Sequence, residues 1–198
     1  MGIKCFMIVD TGDNQLYLRR YKPSTTDGTC HCDEMSKIQR VSGSATEAGY
    51  AMPDKTDHRW PVTCTKCGRP FADSDEWRLF EVSIYRREDS GGEILFHSNP
   101  EVGNIPVGAM WDAHWIPFWK GPDGKCLTVM TPGGEWMIDS RASNCTLPND
   151  DRHKCWVRHG VPPNITVDKN GLTCSAGAGS IQCGKYHGFL RNGELTTN

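Results

Sequence analysis

The chain has 198 residues, and its 24 acidic and 22 basic side chains give a formal charge of −2 at neutral pH. Hydrophobic residues make up 37%, mean hydropathy is −0.55, and 21 glycines and 12 prolines punctuate the chain. Such a composition excludes a helical bundle, offers no apolar run near the ~18 residues of a membrane span, and gives no electrostatic basis for nucleic acid as the main partner.

In chain order, Ile3 to Val9 predicts a strand, Thr11-Gly12-Asp13-Asn14 a turn, and Gln15 to Tyr21 a second, alternating strand. The short apolar run ends at Asp10, so the opening reads as a first strand and not as a signal peptide. Lys22 to Ala51 is polar, with little apolar material to order it by burial. Residues 74–87 fit either an amphipathic helix or a strand buried on both faces. Val82, Ile84 and Tyr85, followed by Ser90-Gly91-Gly92 and Glu93 to Phe96, favour a strand pair.

The segment 105–119 concentrates Trp111, Trp115, Phe118 and Trp119. They either pack against a sheet or form an anchor patch for a partner protein, because Trp is enriched at interface hot spots. Beyond Gly121 the expected strands are Cys126–Met130, Glu135–Asp139, Lys154–Arg158, Asn164–Val167, Leu172–Cys174, Tyr186–Leu190 and Glu194–Thr196. Asn192-Gly193 joins the last two as a tight hairpin turn. The expected fold is mainly β: a short-stranded, turn-rich sandwich or barrel-like unit with a small metal-stabilised N-terminal subdomain. It divides into N-terminal strands plus a metal-binding region (1–72), connecting strands and the aromatic segment (73–120), and a C-terminal β domain (121–198).

Ten cysteines are a heavy load, and four of them form two close pairs, Cys30-His-Cys32 and Cys64-Thr-Lys-Cys67. Thiolates two or three residues apart converge on one small volume, and two such pairs supply the tetrahedral sulfur set that zinc prefers. Cys64 to Gly68 reads as a zinc knuckle, with Gly68 closing the turn in the left-handed region. His31 and His58 are the substitutes if one cysteine points away. With a reducing cytosol as the default setting, metal binding and buried thiols outrank disulfides.

The C-terminal half adds Cys126, Cys145, Cys155, Cys174 and Cys183, with His153, His159 and His187. Cys183 and His187, four apart, are candidates for a second metal together with Cys126 or Cys174. The same cysteines also suit disulfides or plain core packing. A cysteine hydrolase of peptide or isopeptide bonds is the alternative class. It would use Cys183 or Cys145 as nucleophile, His187 or His159 as base, Asp139 as orienter and the loop Ser175–Ser180 as oxyanion donor. A third reading lets Lys66, Arg69, Arg86 and Arg87 touch nucleic acid.

Gly134-Glu-Trp-Met-Ile-Asp139, Pro162-Pro-Asn-Ile-Thr166 and the terminal Cys183…Tyr186-His-Gly-Phe-Leu-Arg-Asn-Gly193 resemble the end of an uncharacterised family of tailed-bacteriophage proteins. The Cys64–Cys67 knuckle, Asp73-Ser-Asp-Glu-Trp77 and Gly108-Ala-Met-Trp-Asp112 are similar to motifs of hypothetical phage proteins of this size. The resemblance implies a phage origin and a β fold. The family's cysteine-rich strand entering the C-terminal unit is missing here, which counts against a metal role for Cys183 and His187. The resulting expectation is a non-enzymatic, zinc-stabilised protein that binds other protein chains. Phage structural proteins are the expected partners, in the host cytoplasm during infection and in the virion. A host-factor antagonist belongs to the same binding class.

Overall fold

The computed structural model describes residues 2–22, 30–44, 50, 53–99, 101–150, 152–176 and 179–197. Among them the turn-rich, alternating sequence forms thirteen strands and no helix. These are β1 (Ile3–Lys4), β2 (Phe6–Tyr21), β3 (Asp33–Ser42), β4 (Glu76–Arg87), β5 (Glu93–Phe96), β6 (Ala109–Asp112), β7 (Leu127–Thr131), β8 (Gly134–Met137), β9 (Val157–Val161), β10 (Asn164–Asp168), β11 (Ile181–Cys183), β12 (Tyr186–Arg191) and β13 (Glu194–Thr197). The mainly β fold is therefore present. The chain forms two compact units interleaved in sequence: Met1–Val9 with Arg86–Glu93 and Ile105–Asn198, and Asp10–Tyr85 with Ile94–Asn104. The boundaries inferred from composition, at 72 and 120, do not coincide with these.

In the unit that begins at Asp10, β3 runs antiparallel to β2, from Asp13 opposite Ser42 to Tyr21 opposite Asp33. β4 lies between β2 and β5, which gives the strand pair expected from residues 74–96. The turn expected at Thr11–Asn14 is instead a bend within one long strand. Gly12 sits at φ 75°, its N–H donates to Asp10 Oδ1 at 2.9 Å, and Thr11 Oγ1 donates to the Ile84 carbonyl. Local bonds that mimic a turn thus absorb the Gly-Asp-Asn signal without reversing the chain. The register shifts between Leu16 and Tyr17, which face Gln39 and Lys37, so Ile38 is an extra residue. Ile38 and Val41 join Leu16, Leu18 and Trp60 in a small apolar cluster, with Tyr50 and Leu79 against it. The buried Arg20 guanidinium donates to the carbonyls of Pro61 and Ala72 at 2.9 and 2.7 Å, tying the 60–72 segment to β2.

In the other unit the first residues of β2 pair in parallel with β6, Phe6 opposite Ala109 and Met7 opposite Met110. β6, β7 and β8 continue antiparallel. A second sheet has the order β1-β13-β12-β11, and β9 and β10 form a hairpin that packs on β12. Asn192 (φ 46°) and Gly193 (φ 72°) make the β12–β13 turn as expected. Two expected strands change. Leu172–Cys174 reduces to a single bridge between Lys154 and Thr173, and pairing after Lys154 resumes only at Val157.

The core of this unit gathers Cys5, Met7, Met110, Leu127, Val129, Ile138, Ile165, Val167, Ile181, Leu190 and Leu195 with Trp136 and Tyr186. Leu190 is 0% exposed. Replacing it with alanine is expected to cost roughly 2–5 kcal/mol through lost burial and a residual cavity. The check is a urea titration: the midpoint should fall at constant slope, and an unchanged midpoint would remove Leu190 from the core.

Candidate metal centre

The ladder between β2 and β3 delivers the first cysteine pair. It ends at Tyr21 opposite Asp33, and the Lys22 N–H then donates to the Cys32 carbonyl at 3.0 Å. The second pair sits on a tight loop pinned by the bridge between Thr63 and Pro70. Within it the Cys64 N–H donates to Arg69 O and the Gly68 N–H to Cys64 O, both at 2.8 Å. Gly68, at φ 73°, closes the turn in the left-handed region as the knuckle reading requires. Glu34 on β3 clamps the loop by accepting from Thr65 N–H and Oγ1 at 2.6 and 2.7 Å. Asp75 steadies its far side by accepting from the Arg69 guanidinium and the Ala72 N–H, each at 2.7 Å.

These contacts bring Cys30, Cys32, Cys64 and Cys67 together, with all four sulfurs within 4.8 Å of one another. Cys32 Sγ and Cys67 Sγ are 3.6 Å apart. A tetrahedron with metal–sulfur bonds of ~2.3 Å has an edge of about 3.8 Å, whereas a disulfide bond is ~2.05 Å. All ten cysteines are free, so the donor set fits a metal ion. Burial, reinforced by neighbouring thiols, pushes Cys30 up to about 12. The Arg69 backbone N–H holds Cys67 down to about 7. A thiol group is a ligand only as thiolate; the Arg69 N–H favours that form at Cys67 and the Arg69 side chain favours it at Cys32, where burial and the neighbouring thiols still leave the net shift upward. His31 and His58 are not in the cluster; His58 is exposed beside Asp57.

A second set that fits a metal is Cys145, His153, Cys155 and Cys174, whose donor atoms also lie within 4.8 Å of one another. It is not the pair expected from the sequence. Cys183 faces Tyr186 and His187 faces Gln182 across β11 and β12. Partners across a ladder share a face and neighbours along a strand alternate, so the two side chains point to opposite sides. Cys183 Sγ donates to Glu135 O and His187 pairs with Ser180 Oγ. Cys126 is wholly buried, and burial raises its pKa. The signal for His153 was its place two residues before Cys155, a histidine-x-cysteine analogue of Cys30-x-Cys32.

The hydrolase candidates are also dispersed. Asp139 accepts from Arg158 Nε at 2.9 Å and from the Leu127 N–H at 3.0 Å, and faces neither Cys183 nor His187. His159 pairs with Asp168, and Cys145 meets His153 instead. In the loop offered as oxyanion donor, Gly177 and Ala178 lie outside the described residues.

Of the aromatic residues, Trp111 on β6 is 1% exposed, which withdraws it from any partner surface. It lies on a strand with β2 on one side and β7 on the other, and consecutive Ala109, Met110 and Trp111 are all buried, so both faces of β6 are covered. Trp115 and Phe118 are 53% and 55% exposed, and Trp119 is half-buried at φ 60° with its ring edge-on to Phe118. Three of the cationic residues offered to nucleic acid face carboxylates: Arg69 with Asp75, Arg86 with Glu93 and Arg87 with Asp89. Comparison with protein-family models, curated proteins and solved structures finds no match to the chain.

Proposed function

We propose that this is a non-enzymatic protein that binds other protein chains, with zinc at Cys30, Cys32, Cys64 and Cys67 as a structural clip, and that it serves as a minor or decorating component of a phage particle. The convergence of two distant cysteine pairs on one sulfur set carries the zinc reading. Four thiolates select soft or borderline ions, and a closed four-sulfur set leaves no open position for chemistry. The binding role is supported by Trp115 and Phe118, large apolar side chains that are more than half exposed close to a strained Trp119. Positive φ at a bulky residue costs on the order of 1–3 kcal/mol and gathers at functional sites. The phage setting comes from the sequence resemblance.

Mass spectrometry of purified particles from cells producing the phage is the direct test, and absence of the chain from them would sink the virion role. Within that experiment, Trp115→Ala with Phe118→Ala is expected to cut incorporation sharply. Interface anchors contribute about 2 kcal/mol each, roughly 30-fold in affinity. Undiminished incorporation of the folded double variant would remove the aromatic patch from the interface.

A further inference from the structure

We propose that Cys145, His153, Cys155 and Cys174 form a second structural zinc site, independent of the first. Cys155 Sγ and Cys174 Sγ are 3.7 Å apart, and Cys145 Sγ lies 3.2 Å from His153 Nε2. Both spacings suit ligands that share one small ion. The histidine is 1% exposed, and its Nδ1 lies 2.7 Å from the Asp150 carbonyl. A carbonyl only accepts, so Nδ1 carries the proton and the Nε2 lone pair faces the sulfurs. That is the arrangement in which a ligating histidine is oriented by its other nitrogen.

The surroundings fit the same chemistry. Backbone N–H groups of Thr146 and Ala176 reach Cys174, and that of Ala142 reaches Cys155. Lys169 Nζ donates at 2.8 Å to the carbonyls of both Cys155 and Cys174, which ties the backbones of these two residues together. Ala142, Ala176 and Trp156 close an apolar shell around the cysteines.

The site also has a physical task. Between β8 and β9 the described residues form no strand, and the stretch from Ser140 to Lys154 is mostly polar. Burial alone supplies little to order it, whereas metal binding contributes folding free energy directly. A buried histidine beside a thiol also resembles a nucleophile and its base. Two further sulfurs in the same volume distinguish a ligand set from such a dyad.

The test is elemental analysis with zinc-edge X-ray absorption on the intact protein purified with a reductant. Two zinc ions per chain are expected, one with four sulfurs and one with three sulfurs and a nitrogen. The averaged shell is then about 3.5 sulfurs at ~2.3 Å and 0.5 nitrogen at ~2.0–2.1 Å. His153→Ala and Cys145→Ser should each reduce the content to one ion with a pure sulfur shell. Cys64→Ser with Cys67→Ser should leave one ion with a mixed shell, so failure of either site is read separately. If the variants do not fold, the wild-type shell still decides. A single zinc with sulfur alone overturns the proposal. So does a Cys155–Cys174 disulfide in the native protein, or rapid selective alkylation of Cys145 in protein carrying its full metal content.

Discussion

Replacing Cys64 and Cys67 with serine is expected to release the segment from Cys30 to Asp75 while leaving β7 to β13 folded. The unit that holds these cysteines has a small apolar cluster built on Leu16, Leu18, Ile38, Val41 and Trp60. The loop between Trp60 and Asp75 is held instead by polar links: Arg20 to Pro61 and Ala72, Glu34 to Thr65, and Asp75 to Arg69. Each such bond contributes only about 0.5–3 kcal/mol. Structural zinc in small domains contributes roughly 10–16 kcal/mol near neutral pH, which rivals the whole stability of a typical domain. In hydrogen exchange, amides of residues 32–42 and 60–75 should lose protection by orders of magnitude. Those of 127–131, 164–168 and 186–197 should hold theirs, because their core of Leu127, Val129, Ile165, Val167, Leu190 and Leu195 lies in the other unit. Unchanged protection around Cys32 and Cys64 would show that the polar links suffice and that the metal is not the clip. The variant is a cleaner probe than a chelator, which would strip both cysteine sets.

Much of this arrangement was legible in the sequence because its signals are local. Cys64 to Gly68 announces a knuckle through spacing and one glycine, and Asn192-Gly193 announces a hairpin through two residues. Both depend on backbone geometry within a few positions. β3 was hidden for a corresponding reason. Its bulge makes Ile38 and Val41 the buried residues, three apart, so the period-two pattern of a strand is broken where it would have been read. The bend at Gly12 misled in the opposite direction, since Asp10 and Thr11 supply turn-like bonds inside an unbroken strand.

The second cysteine set depends on tertiary structure. Cys145 and Cys174 are separated by the β9–β10 hairpin, and only the fold returns Cys174 to Cys155 through the bridge between Lys154 and Thr173. Spacing favoured Cys183 and His187 because they are close in sequence, yet strand parity separates them. Proximity along a chain identifies ligands on a tight turn such as 64–67. Across a ladder, register decides.

Removing the Arg158 charge is the other change with a large expected effect. Its side chain is 3% exposed and bridges Asp139, 6% exposed, and the more open Asp123. Burial is the main influence on Asp139 and raises its carboxyl above the ordinary value of 3.8, with Arg158 and the Leu127 N–H pulling the other way. Asp123 ends below that value, because Arg158 and the Lys125 N–H outweigh its burial. In Arg158→Met the Asp139 carboxylate stays buried without its partner. Breaking a buried pair from one side costs roughly 3–5 kcal/mol, on the order of 10 °C in a chain of this size. The pH dependence carries the diagnostic sign. A carboxyl raised further in the folded state binds its proton more tightly there than in the unfolded chain. Stability of the variant should therefore rise as pH falls through that raised value toward 3.8, recovering part of the loss. Asp123 works the other way in the wild type: its lowered value gives stability above the unfolded pKa that is lost on acidification. Adding Asp139→Asn to Arg158→Met should restore part of the stability at neutral pH and abolish the recovery in acid. Thermal melts across the carboxylate range would show it, and a single variant that only loses stability as pH falls would mean that Asp139 is not buried unpaired.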